Sequence, residues 1–243
     1  MDSPAPFKIS FCTTCSNRSH QLKQTFDANA AIVERTPNVE WIIVNFNSKD
    51  DLHEYMLGKL PQVSKRIVYA KDSSGRPWHA SYAKNIAHRL GKGEFLMNLD
   101  CDNFIGNAVQ LIRLYSFEGY KLLYLSSGTM GDGTAGRVAI ARELFHALGG
   151  YDETFYPMGY QDIDLVQRAR AAKTPSKRCF SSSDLAIKNS KIESIMHCAQ
   201  AGLAWEDYNR ANYARSTANI AAGKLVANVG TWKKLQLESF TGD

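Results

Sequence analysis

"FLMNLDCDN" (95–103) is the stretch on which the fold turns. A mostly apolar run leads straight into Asp100 and Asp102, with Cys101 between them. A short apolar run bounded by charge is the mark of a buried strand, here "GEFLMNLD" (93–100). Were the strand to continue, residues two apart would point to one side. Two carboxylates that close repel unless something positive lies between them. A divalent cation meets that need: Mg²⁺ or Mn²⁺ takes one or two protein carboxylates and fills its shell with phosphate oxygens and water. The competing account is a solvated loop in which both aspartates cap the next helix.

Working outward, "FKISFCTT" (7–14) reads as a first strand, and Ser16 and Asn17 offer caps for a helix over 19–35 carrying Leu22, Phe26, Ala30 and Val33 at helical spacing. "VEWIIVNFN" (39–47) is a second strand, apolar on both faces; a short helix covers 50–59, and "RIVYA" (66–70) is a third strand. A loop, "SSGRPW", precedes a helix over 79–90, and past the aspartates come a helix at 107–117 and the strand "KLLYLS" (121–126). This alternation predicts an α/β fold: a mostly parallel sheet flanked by helices. Ligands of such sheets bind at the carboxyl ends of the strands, where Thr13-Thr14, Asn45 to Asn47 and Asp100 to Asp102 all fall.

The second half differs in texture. "GTMGDGTAG" (128–136) is a glycine-rich loop, either a lid or a plain exposed loop. "RVAIAR" is a strand, Glu143 to Leu148 a short helix stopped by Gly149-Gly150, and "YQDIDLVQRARAA" a helix with Asp162 and Asp164 in its first turn. "ESIMHCA" reads as a strand end bearing His197, and 205–222 as a helix. The Ser-rich patch at 181–183 is a loop. No linker divides the 243 residues, so one domain is expected.

Composition sets limits. With 44% apolar and 22% charged residues the chain is of globular type. A net charge of +5, with basic clusters only at Lys173 to Arg178 and Lys233-Lys234, fits an enzyme handling small anions and supplies no nucleic-acid stripe. Five cysteines without a secretion signal predict reduced thiols, and "CTTC" (12–15) reads as two small residues near a turn rather than a redox or zinc pair. The absence of a leader pattern and of a long apolar run predicts a cytoplasmic enzyme without a transmembrane segment. The stretch "GKLVANVGTWKKLQL" (223–237) could touch a membrane surface through Trp232 and Lys233-Lys234, but is read as a helix packed on the domain.

"LGGYDETFYPMGYQDIDLVQR" (148–168) sets a Gly-Gly turn, an aromatic stretch and a Gln-Asp pair at a helix start. Here the chain resembles the GT-A-fold nucleotide-sugar glycosyltransferases, family 2-like and β-1,4-galactosyltransferase-like, in which a "GGxDExFxxxGxED" segment follows the paired aspartates. "TTCSNR" (13–18) is similar to their nucleotide-contacting turn, "YAKNIA" (82–87) to a helix start near the nucleotide, and "IMHCA" (195–199) to a strand whose His completes a metal site. The resemblance covers the chain to about residue 220 and implies one GT-A, Rossmann-like domain: a nucleotide-binding half (1–103), an acceptor and catalytic half (104–222) and a tail (223–243).

It further implies Mn²⁺ or Mg²⁺ on Asp102, Asp100 and His197, and Asp162 as the base that takes the acceptor hydroxyl proton in an inverting transfer. On the residues alone, a single His at a strand end is more often structural, and Asp162 competes with a capping role; its place near a helix N-terminus predicts a low pKa. Asp164 reads as structural. Donor contacts fall to Thr13, Thr14, Arg18, Asn45, Asn47, Lys84, Asp100 and Cys101, of which Arg18 and Lys84 could equally be ordinary first-turn helix residues. Tyr160, Gln161 and Trp205 are the acceptor-side candidates; the two aromatics could stack on a sugar or belong to the core. Two departures stand out: Gln161 where relatives carry Glu, and Asn45 and Asn47 where they often use Asp. They keep retaining chemistry and the donor base open, with UDP the expected donor nucleotide. They also keep alive a non-catalytic nucleotide- or sugar-binding module of the same fold. A nucleotidyltransferase shares the sheet and the acids, but "TTCSNRSH" lacks its glycine-rich basic signature.

Overall fold

A computed structural model of the chain describes residues 8–129, 132–182, 185–188, 190–198, 203–232, 235 and 237–241. Phe7, Met130-Gly131 of the glycine-rich loop, Ser183 and Lys233-Lys234 lie outside the described residues.

Four strands, β1 (Ile9–Cys15), β2 (Val39–Phe46), β3 (Ile67–Asp72) and β4 (Phe95–Asn98), alternate with α1 (Ser19–Arg35), α2 (Leu52–Lys59) and α3 (Ala80–Leu90). β1 pairs in parallel with both β2 and β4, and β2 with β3. Every residue of β1 and β2 is buried, as expected where helices cover both faces. The period of two sorts their side chains: Trp41 and Ile43 enter one core with Phe26 of α1, while Ile42 and Val44 enter the other with Ala87 of α3.

After α4 (Ala108–Phe117) and β5 (Leu122–Ser126), β6 (Val138–Ala141) inserts antiparallel between β5 and β4. α5 (Arg142–Ala147) and α6 (Gln161–Ala171) lead to β7 (Ser176–Phe180), α7 (Lys191–Ile195), α8 (Trp205–Ala221) and β8 (Leu237–Thr241). Among the described residues the sheet has eight strands in the order β7-β5-β6-β4-β1-β2-β3-β8, of which β6 and β8 run against the rest. It is a single, mostly parallel α/β domain.

Several expectations give way. β4 stops at Asn98 rather than at Asp100. Ser16 and Asn17 do not cap α1; the Ser19 N–H donates to Asp50 Oδ2 instead, at 2.8 Å. The segment bearing His197 is helix α7 and a turn, not a strand end; only an isolated bridge joins Cys198 to Trp78. The C-terminal stretch is no helix: its described residues turn Trp232 onto Phe145, His146 and Arg89 and then supply β8 to the sheet edge. Trp232 therefore packs on the domain, as expected of this stretch, though not as part of a helix. β7, hidden in the basic cluster, is the opposite edge strand, where Lys177 and Arg178 blunt the open edge.

All five cysteines are free, and Cys12 and Cys15 are buried within β1. No helix among the described residues is long and apolar enough to cross a membrane.

Candidate active site

β4 ends where its peptide groups change partners. Leu99 N–H still donates to Cys12 O, but the chain then turns, with Asn103 N–H donating to Asp100 O at 2.8 Å. Side chains take over the remaining backbone groups. Thr13 Oγ1 donates to Leu99 O, Thr25 Oγ1 to Cys101 O and Asn29 Nδ2 to Asn103 O, at 2.7–2.9 Å. Arg137, fully buried, donates to Phe104 O at 2.6 Å and Ile105 O at 3.1 Å. A buried turn survives only if its polar backbone is satisfied in this way. Asp100 and Asp102 thus sit on a braced turn, and their disposition owes nothing to strand alternation.

The two carboxylates have different partners. Asp102 is buried, accepts from Asn103 Nδ2 at 2.7 Å and lies 3.9 Å from Arg18 Nη1. Arg18 Nη2 also donates to Ser194 of α7 at 3.1 Å. Asp100 accepts from Asn98 Nδ2 at 3.0 Å and lies 3.4 Å from Lys84 Nζ. Gly136, at the described end of the glycine-rich loop, packs on this carboxylate: a Cβ there would overlap Asp100 Oδ2.

Asp162 approaches from the other half of the chain. The Gly149-Gly150 pair bends the backbone with φ of 69° and 66°, and a Cβ at Gly149 would overlap the Ala227 carbonyl. Asn85 clamps the turn in both directions, its Oδ1 accepting from Tyr151 N–H and its Nδ2 donating to Tyr151 O, each at 2.8 Å. Below it lies a buried knot in which Arg168 Nε donates to Asp164 Oδ2 at 2.7 Å and Ser216 of α8 to Asp164 Oδ1 at 2.7 Å. Arg168 also reaches Gly150 O and Leu148 O. Asp164 is therefore structural, as expected, and Asp162 is left at the second position of α6.

Lys84 joins the halves. Its Nζ donates to both Asp162 oxygens, at 2.8 and 2.9 Å, besides facing Asp100. Side-chain exposure is 7% for Lys84, 21% for Asp162 and 33% for Asp100. Two carboxylates thus share one ammonium, so one must titrate high. Burial raises the Asp162 carboxyl, Lys84 draws it down and the Asp100 charge raises it, leaving it at about 6. For Asp100 burial also works upward, but Lys84 and the Asn98 hydrogen bond outweigh it and hold the carboxyl below its usual value. Burial would lower the Lys84 ammonium; the two aspartates outweigh burial and raise it. The low value expected for Asp162 from the helix dipole is corrected: burial is the larger effect.

Other candidates are placed as follows. Thr13, Asn45 and Cys101 face inward: Thr13 Oγ1 is fixed between Trp41 Nε1 and Leu99 O, Asn45 binds Tyr69 OH and Ser48 N–H, and Cys101 lies in the core. Thr14 is buried at the end of β1. Asn47 spends its amide on Asp72 and the Arg76 carbonyl. Gln161 is buried, donating to Tyr156 O at 3.0 Å, and so does not line the crevice. Tyr160 meets Tyr213 edge-on at 5.3 Å, and Trp205 lies under Lys191 Nζ at 4.2 Å. His197 is exposed on the turn after α7. It does not join Asp100 and Asp102: among the described residues no three His, Cys, Asp or Glu side chains come together as a metal site. The two carboxylates fit a cation only if ligand oxygens complete its shell.

Asn98, Arg137 and Tyr151 join the site without belonging to the sequence candidates. A polar Asn inside "FLMNLD" was the available signal for the first; nothing local marks the other two.

No family model matches the chain, and no curated protein matches it in sequence. Solved structures do. The Staphylococcus aureus TarS 1–349 complex with UDP-GlcNAc aligns over 88% of this chain and 66% of that one, with a TM-score of 0.63 at 13% identity. The Pyrobaculum calidifontis mannosyltransferase bound to GDP-Man and Mn²⁺ aligns over 96% and 79%, with a TM-score of 0.55 at 14% identity. The catalytic domain of Drosophila β1,4-galactosyltransferase 7 with xylobiose aligns over 84% and 80%, with a TM-score of 0.55 at 13% identity. The chain spans about two thirds of the first of these. Its fold is the one these GT-A glycosyltransferases share.

Proposed function

We propose that the chain is a glycosyltransferase that moves a sugar from a nucleotide-sugar donor, UDP-linked, to a hydroxyl acceptor with inversion. The observation carrying this reading is the Asp162 carboxylate, held by Lys84 beside the Asp100–Asp102 turn and titrating at about 6. A carboxyl with that value is charged at neutral pH yet basic enough to take a proton. The acceptor oxygen attacks the anomeric carbon, its proton passes to Asp162, and the bond to the diphosphate breaks with its electron pair leaving on the nucleoside diphosphate.

Residues up to 103 serve the donor, with Arg18 the diphosphate contact, and 104–222 serve the acceptor, with Tyr160 and Trp205 on that side. Asp102 with Asp100 would hold Mn²⁺ or Mg²⁺, which when bound supplies positive charge against the diphosphate. No nucleic acid is involved, and the setting is cytoplasmic. The Mn²⁺ seen with GDP-Man in the mannosyltransferase supports the cation, and equally keeps GDP among the donors to be tried.

The test is calorimetric titration of UDP, GDP, CDP and ADP, with and without Mn²⁺, on wild type, Asp102→Ala and Asp162→Asn. One nucleotide should bind with Mn²⁺ to wild type and Asp162→Asn but not to Asp102→Ala. Absence of binding from folded wild type would sink the donor site. A binding module, the second reading, would bind the nucleotide yet show no donor turnover for Asp162→Asn to abolish. Gln161, which cannot act as a base, and Asn45 are the residues that favour this second reading.

A further inference from the structure

The basic cluster at 173–178 takes no part in the site around Asp162, and β7 divides it between two faces of the sheet. Lys177 turns to one face, where its Nζ lies over Tyr115 and Tyr120, 5.1 and 5.5 Å from the ring centroids. Arg178 and Phe180 turn to the other. They pair in register with Tyr124 and Ser126 of β5, and paired residues of neighbouring strands share a face. That face leads to Asp162. Tyr124 packs on the cluster that holds Leu165, Val166 and Ala169 of α6, and Asp162 heads the same helical stripe at i, i+3, i+4 and i+7. The loop between β5 and β6 touches both places. Gly136 lies against Asp100, and a Cβ on Gly128 would come within 3.0 Å of Arg178 Nη2 and 3.6 Å of Phe180 Cε1.

Charge on an edge strand guards against unwanted pairing. That purpose does not explain Phe180 beside it, 74% exposed, with the Arg178 guanidinium 5.3 Å from its ring centroid. Among the described residues the arginines paired with carboxylates are Arg18, Arg66, Arg168 and Arg210, and Arg178 is not one of them. A guanidinium stacked on a ring keeps its N–H edge for a carboxylate or phosphate, and the open face of an aromatic ring suits a sugar. We propose that Arg178 and Phe180 form an acceptor subsite for an anionic glycan, Arg178 binding its phosphate or carboxylate and Phe180 stacking on the adjoining sugar. This rests on reading Asp162 as the centre of transfer. Three strand spacings, about 14 Å, separate β7 from β4 and its aspartate turn. That reach exceeds one sugar ring, so the acceptor is an oligomer and not a monosaccharide.

The experiment titrates the full chain calorimetrically with a glycerol phosphate trimer, trigalacturonate and neutral xylotriose. One anionic oligomer should bind at least about 10-fold more tightly than xylotriose, the margin of a charge-assisted hydrogen-bonded pair. Which of the two does so separates phosphate from carboxylate. Arg178→Gln should erase the margin, and Arg178→Lys should recover part of it, since lysine keeps the charge but not the planar fork. Phe180→Ala should weaken all three oligomers alike. Both side chains are exposed, so the thermal transition should stay within about 2 °C of wild type. No margin in wild type, or one that survives Arg178→Gln, overturns the proposal. So does a single-stranded oligothymidylate that binds more tightly than either anionic oligomer through these two residues, because an aromatic ring beside Arg also suits nucleic acid. Nucleotide binding on the same samples separates the two readings. Where a nucleotide binds, an absent margin removes the subsite alone. A margin in a protein that binds no nucleotide leaves an anion site, and the acceptor role falls together with the transferase.

Discussion

Lys84→Met is the perturbation whose consequence the structure specifies most closely. Methionine keeps the length and apolar stem of the lysine while removing the charge, so the change leaves little cavity. What remains is Asp162 facing Asp100, with no cation between them in the described site. Removing one partner of a buried ion pair costs about 3–5 kcal/mol, because the other charge stays buried and unpaired. Asp100 keeps a third of its side chain exposed, so the lower end, about 3 kcal/mol, applies. For a chain of this length each 1 kcal/mol moves the melting temperature by about 2–4 °C, so a fall of about 6–12 °C is expected at pH 8.

The pH dependence gives the sign. Without Lys84 both carboxyls have folded-state pKa values above those in wild type, whereas their unfolded values are unchanged. A carboxyl raised on folding binds more protons folded than unfolded, so stability falls as pH rises from the unfolded value through the folded one. Asp162 already behaves this way in wild type, between 3.8 and about 6. The deficit of Lys84→Met should therefore shrink at pH 5, where protonation removes the repulsion. Thermal unfolding by circular dichroism at both pH values reads this directly, and adding Asp162→Asn should recover much of the loss at pH 8. A melting temperature within about 2 °C of wild type at pH 8, or a larger deficit at pH 5, would refute the shared-ammonium account.

Three further outcomes follow from the site. Gly136→Ala places a methyl group on Asp100 Oδ2 and close to Asn98 Nδ2, so Mn²⁺-dependent nucleotide affinity should fall about 10-fold or more by calorimetry, with stability lowered by about 1–3 kcal/mol. Gly149→Ala meets the Ala227 carbonyl and needs a φ of 69°, so soluble folded yield should collapse; a well-folded variant would mean that the turn is not built as described. If Asp162 is the base, kcat/KM should rise with pH through an apparent value of about 6 and then level, and a profile flat between pH 5 and 8 would exclude it.

Much of the fold was legible in the chain itself. Strongly periodic segments such as 19–35 and the unbroken apolar run of β2 leave few alternatives, and their alternation specifies helices packed on both faces of a sheet. β7 escaped because its half-exposed edge position tolerates "SKRCF", and β8 because "LESFT" becomes a strand only by pairing with β3. The motif pattern located Asp100, Asp102 and Asp162 as the acids to watch, yet not what surrounds them. No spacing rule places Lys84 between residues 100 and 162, or turns Asn45, Gln161 and Thr13 inward. Those outcomes depend on which buried polar groups find partners across the sheet, and partners far apart in the chain meet only once the backbone has closed. Burial likewise overrode the helix dipole at Asp162, since desolvation is a property of the packed interior and not of a residue's position in its helix. Local chemistry therefore determined the elements and the identity of the acidic groups, while tertiary packing alone decided their partners, their charge state and the side chains that hold them.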